Sequence, residues 1–302
     1  MAADLLAVLT ERSDFSGLTA PVVVGCSGGA DSVALLALTA AAGLRPLAVH
    51  VDHRLRVESA ADADTVRAAA ERVGATWRTV PVTIDAGANL EARARDARYA
   101  ALESARVEAG ADWVLVGHTA DDQAETVLLN VLRGAAAAGL AGMAARRDRI
   151  ARPLLALRRS ETRALCAAHG LAVVEDPMND DVAFTRVALR RQVLPLLESI
   201  AGRDLVPVLA RQAEVLRAES DFLDDLARAA WPGASEPSAS VLAALDPVLA
   251  RRAVRVWLGV PPPSHAEVER VLQVARGDRR AAQLAGGRGI RRSAGRLLLE
   301  RE

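Results

Sequence analysis

The residues with the clearest chemical potential are 27–32, SGGADS, which directly follow a short β-branched run. Two adjacent glycines let the backbone turn tightly and approach a ligand without a side-chain clash. The loop opens a predicted helix, whose unpaired N–H groups and dipole favour phosphate, and its two serines add hydroxyl donors. We therefore predict a phosphate site that uses the whole loop: Ser27, Gly28, Gly29, Ala30, Asp31 and Ser32.

The carboxylate of Asp31 conflicts with a purely anion-binding role, because it would repel phosphate. A magnesium ion between the two resolves the conflict, since Mg²⁺ usually bridges one or two carboxylates and phosphate oxygens. We therefore predict that Asp31 holds Mg²⁺. A plain strand–helix turn with an acid in its first turn is the alternative that spacing alone leaves open.

A second group of polar residues follows the predicted strand 112–118. Asp122 and Glu125 are three residues apart on the predicted helix 121–134, so they share a face; Asp121 and Glu125 could share one as well. His118 ends the strand and could orient phosphate or a base. An acidic start that complements the helix dipole, and a hydrogen-bonded histidine at a strand end, are the structural alternatives.

Two arginines, Arg95 and Arg98, are three residues apart on the predicted helix 91–110. They could neutralise a developing charge on pyrophosphate or contact a nucleic-acid backbone, and Arg133 could do the same. Alternatively, they face solvent or pair with Glu91.

The elements that position these residues are short buried strands alternating with helices. Strands are predicted at 21–26, 45–53, 77–84, 112–118 and 171–176, and helices at 31–43, 58–74, 91–110, 121–134 and 160–169. This alternation is typical of a Rossmann-like α/β fold, a parallel sheet with helices on both faces.

The C-terminal third has a different character. A helix reaches residue 197, and further helices are predicted at 203–230, 241–258 and 265–276, followed by two or three small antiparallel strands. We expect a catalytic domain at 1–200 and a smaller, mainly helical domain with a small β element at 201–302. Residues 251–302 contain 12 arginines against five acids, so this region could grip a polyanion or present solvated helix faces.

Composition excludes several classes of chemistry. All 38 basic residues are arginine, which rules out a lysine Schiff base and the lysine of a Walker-type loop. Cys26 and Cys166 stand far apart, so a CxxC zinc or dithiol site is not expected. The N-terminal segment lacks a signal-peptide pattern and the chain has no apolar run of membrane-spanning length, so we expect a cytoplasmic protein.

The SGGxDS pattern resembles the PP-loop of ATP pyrophosphatases, which cleave ATP to AMP and pyrophosphate. Further segments resemble one family among them, the lysidine synthetases, over residues 22–197. These segments are VDHRLR at 51–56, EARARDARYAAL at 91–102, GHTADDQAETVLLNVLRG at 117–134, GLAGM at 139–143, RPLL at 152–155, EDPMNDD from 175 and RVALRRQVLPLL at 186–197.

The resemblance implies an adenine nucleotide alpha-hydrolase-like fold and a reaction on an isoleucine tRNA with a CAU anticodon. ATP, with Mg²⁺, adenylates C2 of the wobble cytidine, and free L-lysine then displaces AMP. Catalysis would fall to Asp31, His118, Arg98, Asp122 and Glu125, the last two also binding lysine. Contacts to tRNA would come from Arg95, Arg133, Arg190, Arg291 and Arg292.

Three positions depart from the family pattern: Ala136 and Met178 stand where glycine and serine are common, and Val187 where asparagine is. The alternatives are a tRNA thiolase or GMP synthetase of the same superfamily, and a tRNA-binding module without catalysis. Isolated cysteines argue against a thiolase, and acids beside a polyanion argue against a pure binder. A homodimer is the assembly considered.

Overall fold

The structure is a computed structural model, and it describes residues 2–53, 59–84, 90–175, 181–232, 237–259 and 261–301. The chain divides into two compact units, Met1–Glu214 and Val215–Glu302. The division falls within one long helix, Val206–Ala230.

The first unit is built on a six-stranded sheet. Its strands are β1 Val22–Gly25, β2 Pro46–Asp52, β3 Thr76–Pro81, β4 Val114–Val116, β5 Arg146–Arg147 and β6 Ile150–Ala151. Its first seven helices are α1 Ala2–Arg12, α2 Ala30–Ala41, α3 Ser59–Arg72, α4 Leu90–Glu108, α5 Ala120–Leu132, α6 Ala137–Leu140 and α7 Arg159–Ala168. The strand order is β3-β2-β1-β4-β6-β5, parallel except for β5.

The central strand β1 is apolar because both of its faces are covered. Val22, Val23 and Val24 have no exposed surface, as expected for a strand inside a parallel sheet. Val22 and Val24 belong to the main core with α2, whereas Val23 packs on the opposite face with residues of α4. The predicted parallel sheet with helices on both faces is confirmed.

The order of strands reverses at β1. The chain moves from β1 to β2 and β3 on one side, and then returns to place β4 on the other side of β1. Open α/β sheets bind ligands at such a switch point, beyond the carboxyl ends of the strands. Residues 26–29 after β1 and residues 117–119 after β4 therefore lie at the expected position for a site.

The predicted strand at 171–176 is wrong for the residues that the structure describes. Residues 171–175 have no regular structure, because the Val174 amide donates to the carbonyl oxygen of Gly28 (2.9 Å) rather than to a strand. The sheet is instead completed by the short hairpin of β5 and β6, whose turn contains Asp148 at φ +56°. The sequence patterns did not predict this hairpin.

The remaining helices are more segmented than predicted. The helix expected to reach 197 consists of α8 Thr185–Ala188, a π-helical turn Leu189–Val193 and α9 Leu194–Ala201. The helix expected at 241–258 is split into α11 Ala239–Ala244 and α12 Pro247–Leu258. Asp246 caps α12 through the Val248 amide (2.8 Å) and Pro247 occupies its first turn, a local start signal.

The second unit has a core of its own. Helices α11, α12 and α13 (His265–Arg276) pack with a small antiparallel sheet of β7 Ala281–Leu284, β8 Arg288–Ser293 and β9 Arg296–Arg301. The predicted helical region with a small β element is confirmed. Among the described helices, α10 (Val206–Ala230) included, none combines the length and apolarity needed to cross a bilayer.

Candidate active site

The phosphate loop is closed by its own hydroxyl groups. Ser32 Oγ donates to the Gly29 carbonyl oxygen (2.8 Å), accepts from the Ser27 amide (3.1 Å) and lies 3.3 Å from Ser27 Oγ. Ser32 is only 8% exposed. The single hydroxyl proton of Ser32 is thus used within the loop, so Ser32 fixes the turn that opens α2, and its role as a donor to phosphate stays a prediction.

Gly28 is required where it stands. Its φ is +88°, a conformation that favours glycine, and an added Cβ would lie 2.8 Å from Val174 Cγ2. The carbonyl oxygen of Gly28 also accepts the Val174 amide. Val174 therefore lies against the phosphate loop.

Asp31 is placed where the phosphate loop becomes helix α2. Thr162 Oγ1 donates to Oδ1, and Arg159 Nε lies 3.5 Å from Oδ2. Burial raises the pKa of Asp31 above its ordinary value, and the hydrogen bond from Thr162 opposes this effect. Neither Thr162 nor Arg159 was expected from sequence, because both come from α7, about 130 residues further along the chain.

Asp122 has one structural oxygen and one that faces the site. Oδ2 accepts from the Thr119 amide (2.8 Å) and hydroxyl (3.0 Å), which caps helix α5. Oδ1 accepts from Arg159 Nη2 at 2.8 Å. Burial opposes ionisation, but the charge of Arg159 and the hydrogen bonds from Thr119 hold the pKa of Asp122 below its ordinary value.

Arg159 joins the predicted acids. Its guanidinium contacts Asp31, Asp122 and Glu125, the last through Nη1 and Nη2, each at 3.2 Å from Oε1. The three carboxylates outweigh the opposing effect of burial and raise the pKa of Arg159. The structure thus gathers three predicted acids around one cation beside the phosphate loop; we call this group the carboxylate cluster.

Glu125 is the most buried of the three acids, with 2% of its side chain exposed. It also accepts from Arg190 Nε (2.7 Å) and Nη2 (3.4 Å). Arg190 lies in the π-helical turn, a feature often found at functional sites. The structure therefore places Arg190, predicted as a tRNA contact, against the carboxylate cluster.

Asp121 points to a different partner. Its Oδ2 accepts from the Arg159 amide (2.8 Å) at the start of α7, and its carboxylate pairs with Arg158 (3.2 Å). Arg158 also pairs with Asp204. Of the two same-face pairs predicted on α5, the pair that belongs to the carboxylate cluster is Asp122 with Glu125.

His118 follows β4, beside the phosphate loop. Its neighbour Gly117 packs so closely that an added Cβ would lie 2.7 Å from the Asp31 carbonyl oxygen. Arg152 Nε lies 3.2 Å from His118 Nδ1. Burial, together with the charges of nearby arginines, lowers the pKa of His118 to about 4.

Arg95 and Arg98 flank one aromatic ring. Their guanidinium carbons lie 5.0 and 5.3 Å from the centroid of Tyr99, a cation–π distance. Among the described residues, Arg98 Nε is buried without a hydrogen-bond partner.

Comparison with known proteins matches this architecture. The PP-loop domain family matches residues 9–197, and the TilS substrate binding domain family matches residues 238–298. The chain is 43% identical over 301 residues to the tRNA(Ile)-lysidine synthase of Nocardia farcinica (strain IFM 10152), covering 95% of this chain and 93% of the relative. The chain belongs to the tRNA(Ile)-lysidine synthase family.

A second relative gives the same result. Identity to the tRNA(Ile)-lysidine synthase of Mycolicibacterium paratuberculosis (strain ATCC BAA-968 / K-10) is 47% over 240 residues, 78% of this chain and 73% of the relative. The U34-tRNA thiolase NcsA from Methanococcus maripaludis is similar in structure, with a TM-score of 0.59 at 17% identity over 72% of this chain and 78% of that one. That likeness concerns the fold alone. As a tRNA(Ile)-lysidine synthase family member, the protein is an ATP-binding, ligase-type enzyme of tRNA modification.

Two of the departures from the lysidine synthetase pattern can be located. Ala136 begins α6 as its N-cap, with φ −81°, so this backbone does not require glycine. Val187 is 7% exposed within α8 and serves packing. Met178 lies outside the described residues. The backbone that follows α6 is held by the side-chain amide of Gln123. Its Oε1 accepts from the Met143 amide (2.8 Å), and its Nε2 donates to the Met143 carbonyl oxygen (3.0 Å).

The remaining predicted tRNA contacts are exposed arginines of either unit. Arg133 is exposed at the C-terminal end of α5. In the second unit, Arg291 pairs with Glu300, and Arg292 Nη1 donates to the Ala275 carbonyl oxygen (2.9 Å); both arginines are exposed on β8.

The residues that sequence reasoning missed are Arg152, Arg159 and Thr162. Arg152 opens the RPLL segment, which matched the family pattern without a role. Arg159 and Thr162 lie in the RRSET sequence at the start of α7, which reads as an ordinary helix start.

Proposed function

We propose that the protein ligates free L-lysine to C2 of the wobble cytidine in an isoleucine tRNA with a CAU anticodon. In the first step the cytidine carbonyl oxygen attacks the α-phosphate of ATP, and pyrophosphate leaves. In the second, an amino group of lysine attacks C2, and AMP leaves with the oxygen. The observation that carries this proposal is the carboxylate cluster beside a phosphate loop, because it joins an anion site to a cation site.

The proposed nucleotide site consists of the phosphate loop and Asp31. Phosphate oxygens would meet the N-terminus of α2, and Arg98, whose charge acts on His118, would add a cation. Asp31 fits a magnesium ion, since Mg²⁺ is often held by one carboxylate and the substrate's phosphates. When bound, Mg²⁺ would neutralise charge on the triphosphate.

The proposed lysine site consists of Asp122 and Glu125. Both carboxylates already hold a guanidinium in place, so their environment suits an organic cation. Asp122 and Glu125 already accept from the guanidinium groups of Arg159 and Arg190, so a lysine ammonium would share these carboxylates with the two arginines. Burial strengthens each of these charge-assisted contacts.

The proposed tRNA contacts are exposed arginines. Arg133 and Arg95 lie in the first unit, and Arg291 and Arg292 lie in the second. We propose that residues 1–200 perform the chemistry and that residues 201–302 grip the tRNA. The match of residues 238–298 to a substrate binding domain supports this division.

Thiolase chemistry is disfavoured by the state of the cysteines. Cys26 and Cys166 are both buried thiols. Burial raises the pKa of Cys26, and it raises that of Cys166 to about 12. A thiolate, the form needed for sulfur transfer, is therefore unfavourable at either position.

The decisive experiment measures transfer of radiolabelled lysine to a panel of purified tRNAs, with pyrophosphate release followed in parallel. We expect labelling of the CAU isoleucine tRNA alone, dependent on ATP. Asp31→Asn should abolish pyrophosphate release in a folded protein, whereas Asp64→Asn, an exposed acid paired with Arg67 on α3, should not. Pyrophosphate release without lysine transfer would reject the proposal, and near-normal release by Asp31→Asn would reject the role of that residue.

A further inference from the structure

The ring of His118 is held from one side by Arg152. Arg152 is 8% exposed: Nε lies 3.2 Å from His118 Nδ1, Nη1 donates to the Ala144 carbonyl oxygen at 2.8 Å, and the guanidinium also bonds the Tyr99 side chain. The Arg152 amide donates to the Ala145 carbonyl oxygen (2.8 Å). Side chain and backbone are both anchored, so the contact with His118 has a defined direction.

That contact determines where the imidazole proton lies. A guanidinium has donors only, so Nδ1 of His118 must accept with its lone pair. A neutral imidazole carries one proton, which must then be on Nε2. We propose that Arg152 is a positioning residue that keeps His118 as a neutral Nε2–H donor, and that His118 serves the proposed lysidine-forming reaction through this donor rather than as a base.

The charges around His118 favour the same state. Arg152 faces it from the residue after β6, Arg95 and Arg98 face it from α4, and Asp122 faces it from α5. Burial is the largest effect and lowers the pKa of His118; the three arginines lower it further, against the opposing charge of Asp122. With a pKa of about 4, the ring is neutral above about pH 5.

The location identifies what the donor would meet. His118 follows Gly117, which packs on the backbone of Asp31 in the phosphate loop. Within the part of the chain that the structure describes, Nε2 makes no hydrogen bond to protein. The partner is therefore an oxygen that gains negative charge, either a non-bridging oxygen of the α-phosphate in the first step or the oxygen that leaves with AMP in the second. A ring with Nδ1 occupied and Nε2 protonated has no lone pair to take a proton from lysine.

Two substitutions of His118 separate a donor from a base. The side-chain amide of glutamine reaches the Nε2 position, whereas that of asparagine reaches only the Nδ1 position. If His118 is a donor, His118→Gln keeps kcat for pyrophosphate release within about tenfold of wild type, while His118→Asn loses roughly 10²–10³-fold, the usual effect of removing one such donor. Equal, large losses in both variants would overturn the proposal in favour of a base.

The role of Arg152 is tested by measuring the tautomer of the His118 ring. Nitrogen-15 spectra of the labelled imidazoles, with His118 assigned by its disappearance in His118→Gln, should give the Nε2–H pattern at pH 7 in the whole protein. Arg152→Met should shift His118 toward a mixture of tautomers and move the acid limb of the kcat profile to higher pH, whereas Arg152→Lys restores the wild-type pattern. The control is Arg149→Met, an exposed arginine between β5 and β6.

An Nδ1–H pattern in the wild-type protein would overturn the proposal, even if Arg152→Met failed to fold. An unchanged tautomer and pH profile in folded Arg152→Met would do the same. Because the spectra need no tRNA, they stand apart from the proposed function, whose failure would appear as absent lysine transfer by the wild-type protein.

Discussion

Replacing Gly117 by alanine tests whether the phosphate loop and the end of β4 must touch. Gly117 does not need a positive φ, so the effect of alanine is purely one of space. Its Cβ would lie 2.7 Å from the Asp31 carbonyl oxygen and 2.9 Å from the carbonyl carbon, against 3.4 Å for ordinary contact. The backbone of the loop must therefore move by the difference, about 0.7 Å.

The expected size of the effect follows from that displacement. A shift of about 1 Å in a reacting geometry can cost roughly 100-fold in rate. For 0.7 Å we expect pyrophosphate release to fall by about 10- to 100-fold. Overpacking of a well-packed site also costs about 1–3 kcal/mol in the free energy of unfolding.

The assay compares Gly117→Ala with Gly289→Ala by kcat for pyrophosphate release and by thermal unfolding. Gly289 lies in β8, also has no positive φ, and its added Cβ would meet nothing closer than 3.7 Å. It should therefore tolerate alanine. Wild-type release by Gly117→Ala, or an equal loss in Gly289→Ala, would refute the reasoning that contact with the loop backbone sets the geometry.

Three further predictions concern charge. Glu125→Gln should raise KM for lysine roughly 10- to 150-fold, which corresponds to about 1.5–3 kcal/mol for a hydrogen bond to a charged group, and should change KM for ATP much less. The matched control is Asp204→Asn. A collapse of ATP affinity alone would assign Glu125 to the metal. Reversing Arg291 and Arg292 to Glu should weaken tRNA binding and reduce the log–log salt slope by about 1.4–1.8, and an unchanged slope in filter binding would locate the grip elsewhere. Glu267→Gln should destabilise the second unit by about 1–3 kcal/mol at pH 7 in chemical denaturation. Hydrogen bonds from the Ala285 and Ser264 amides and the Ser264 hydroxyl lower the pKa of Glu267 from 4.5 to about 2. That stabilisation is therefore full above about pH 4.5 and is lost as pH falls toward 2, where variant and wild type should converge. A gap that stays constant with pH would contradict this account.

Features set by local sequence were predictable. The run PVVVGC followed by SGGADS specifies a buried strand, a tight turn and a helix start within a dozen residues, because β-branched residues, glycines and small polar residues each act on their own backbone. The shared face of Asp122 and Glu125 follows from helical spacing alone. Where local signals were misread, as at Asp246-Pro247, the sequence still contained the helix start.

Contacts across long stretches of chain were decided only by the tertiary structure. The partners of the predicted acids, Arg159 and Arg190, lie more than 30 residues from them, and nothing in the spacing of RRSET or LRRQV identifies which arginine will meet a carboxylate. Residues 171–175 have the apolar pattern of a strand, yet Val174 packs against the phosphate loop, since its amide donates to the carbonyl oxygen of Gly28. Local sequence determines how each segment folds and which groups it presents. Which groups meet depends on the order of strands at the switch point, because only there do the ends of β1 and β4 come together with the start of α7.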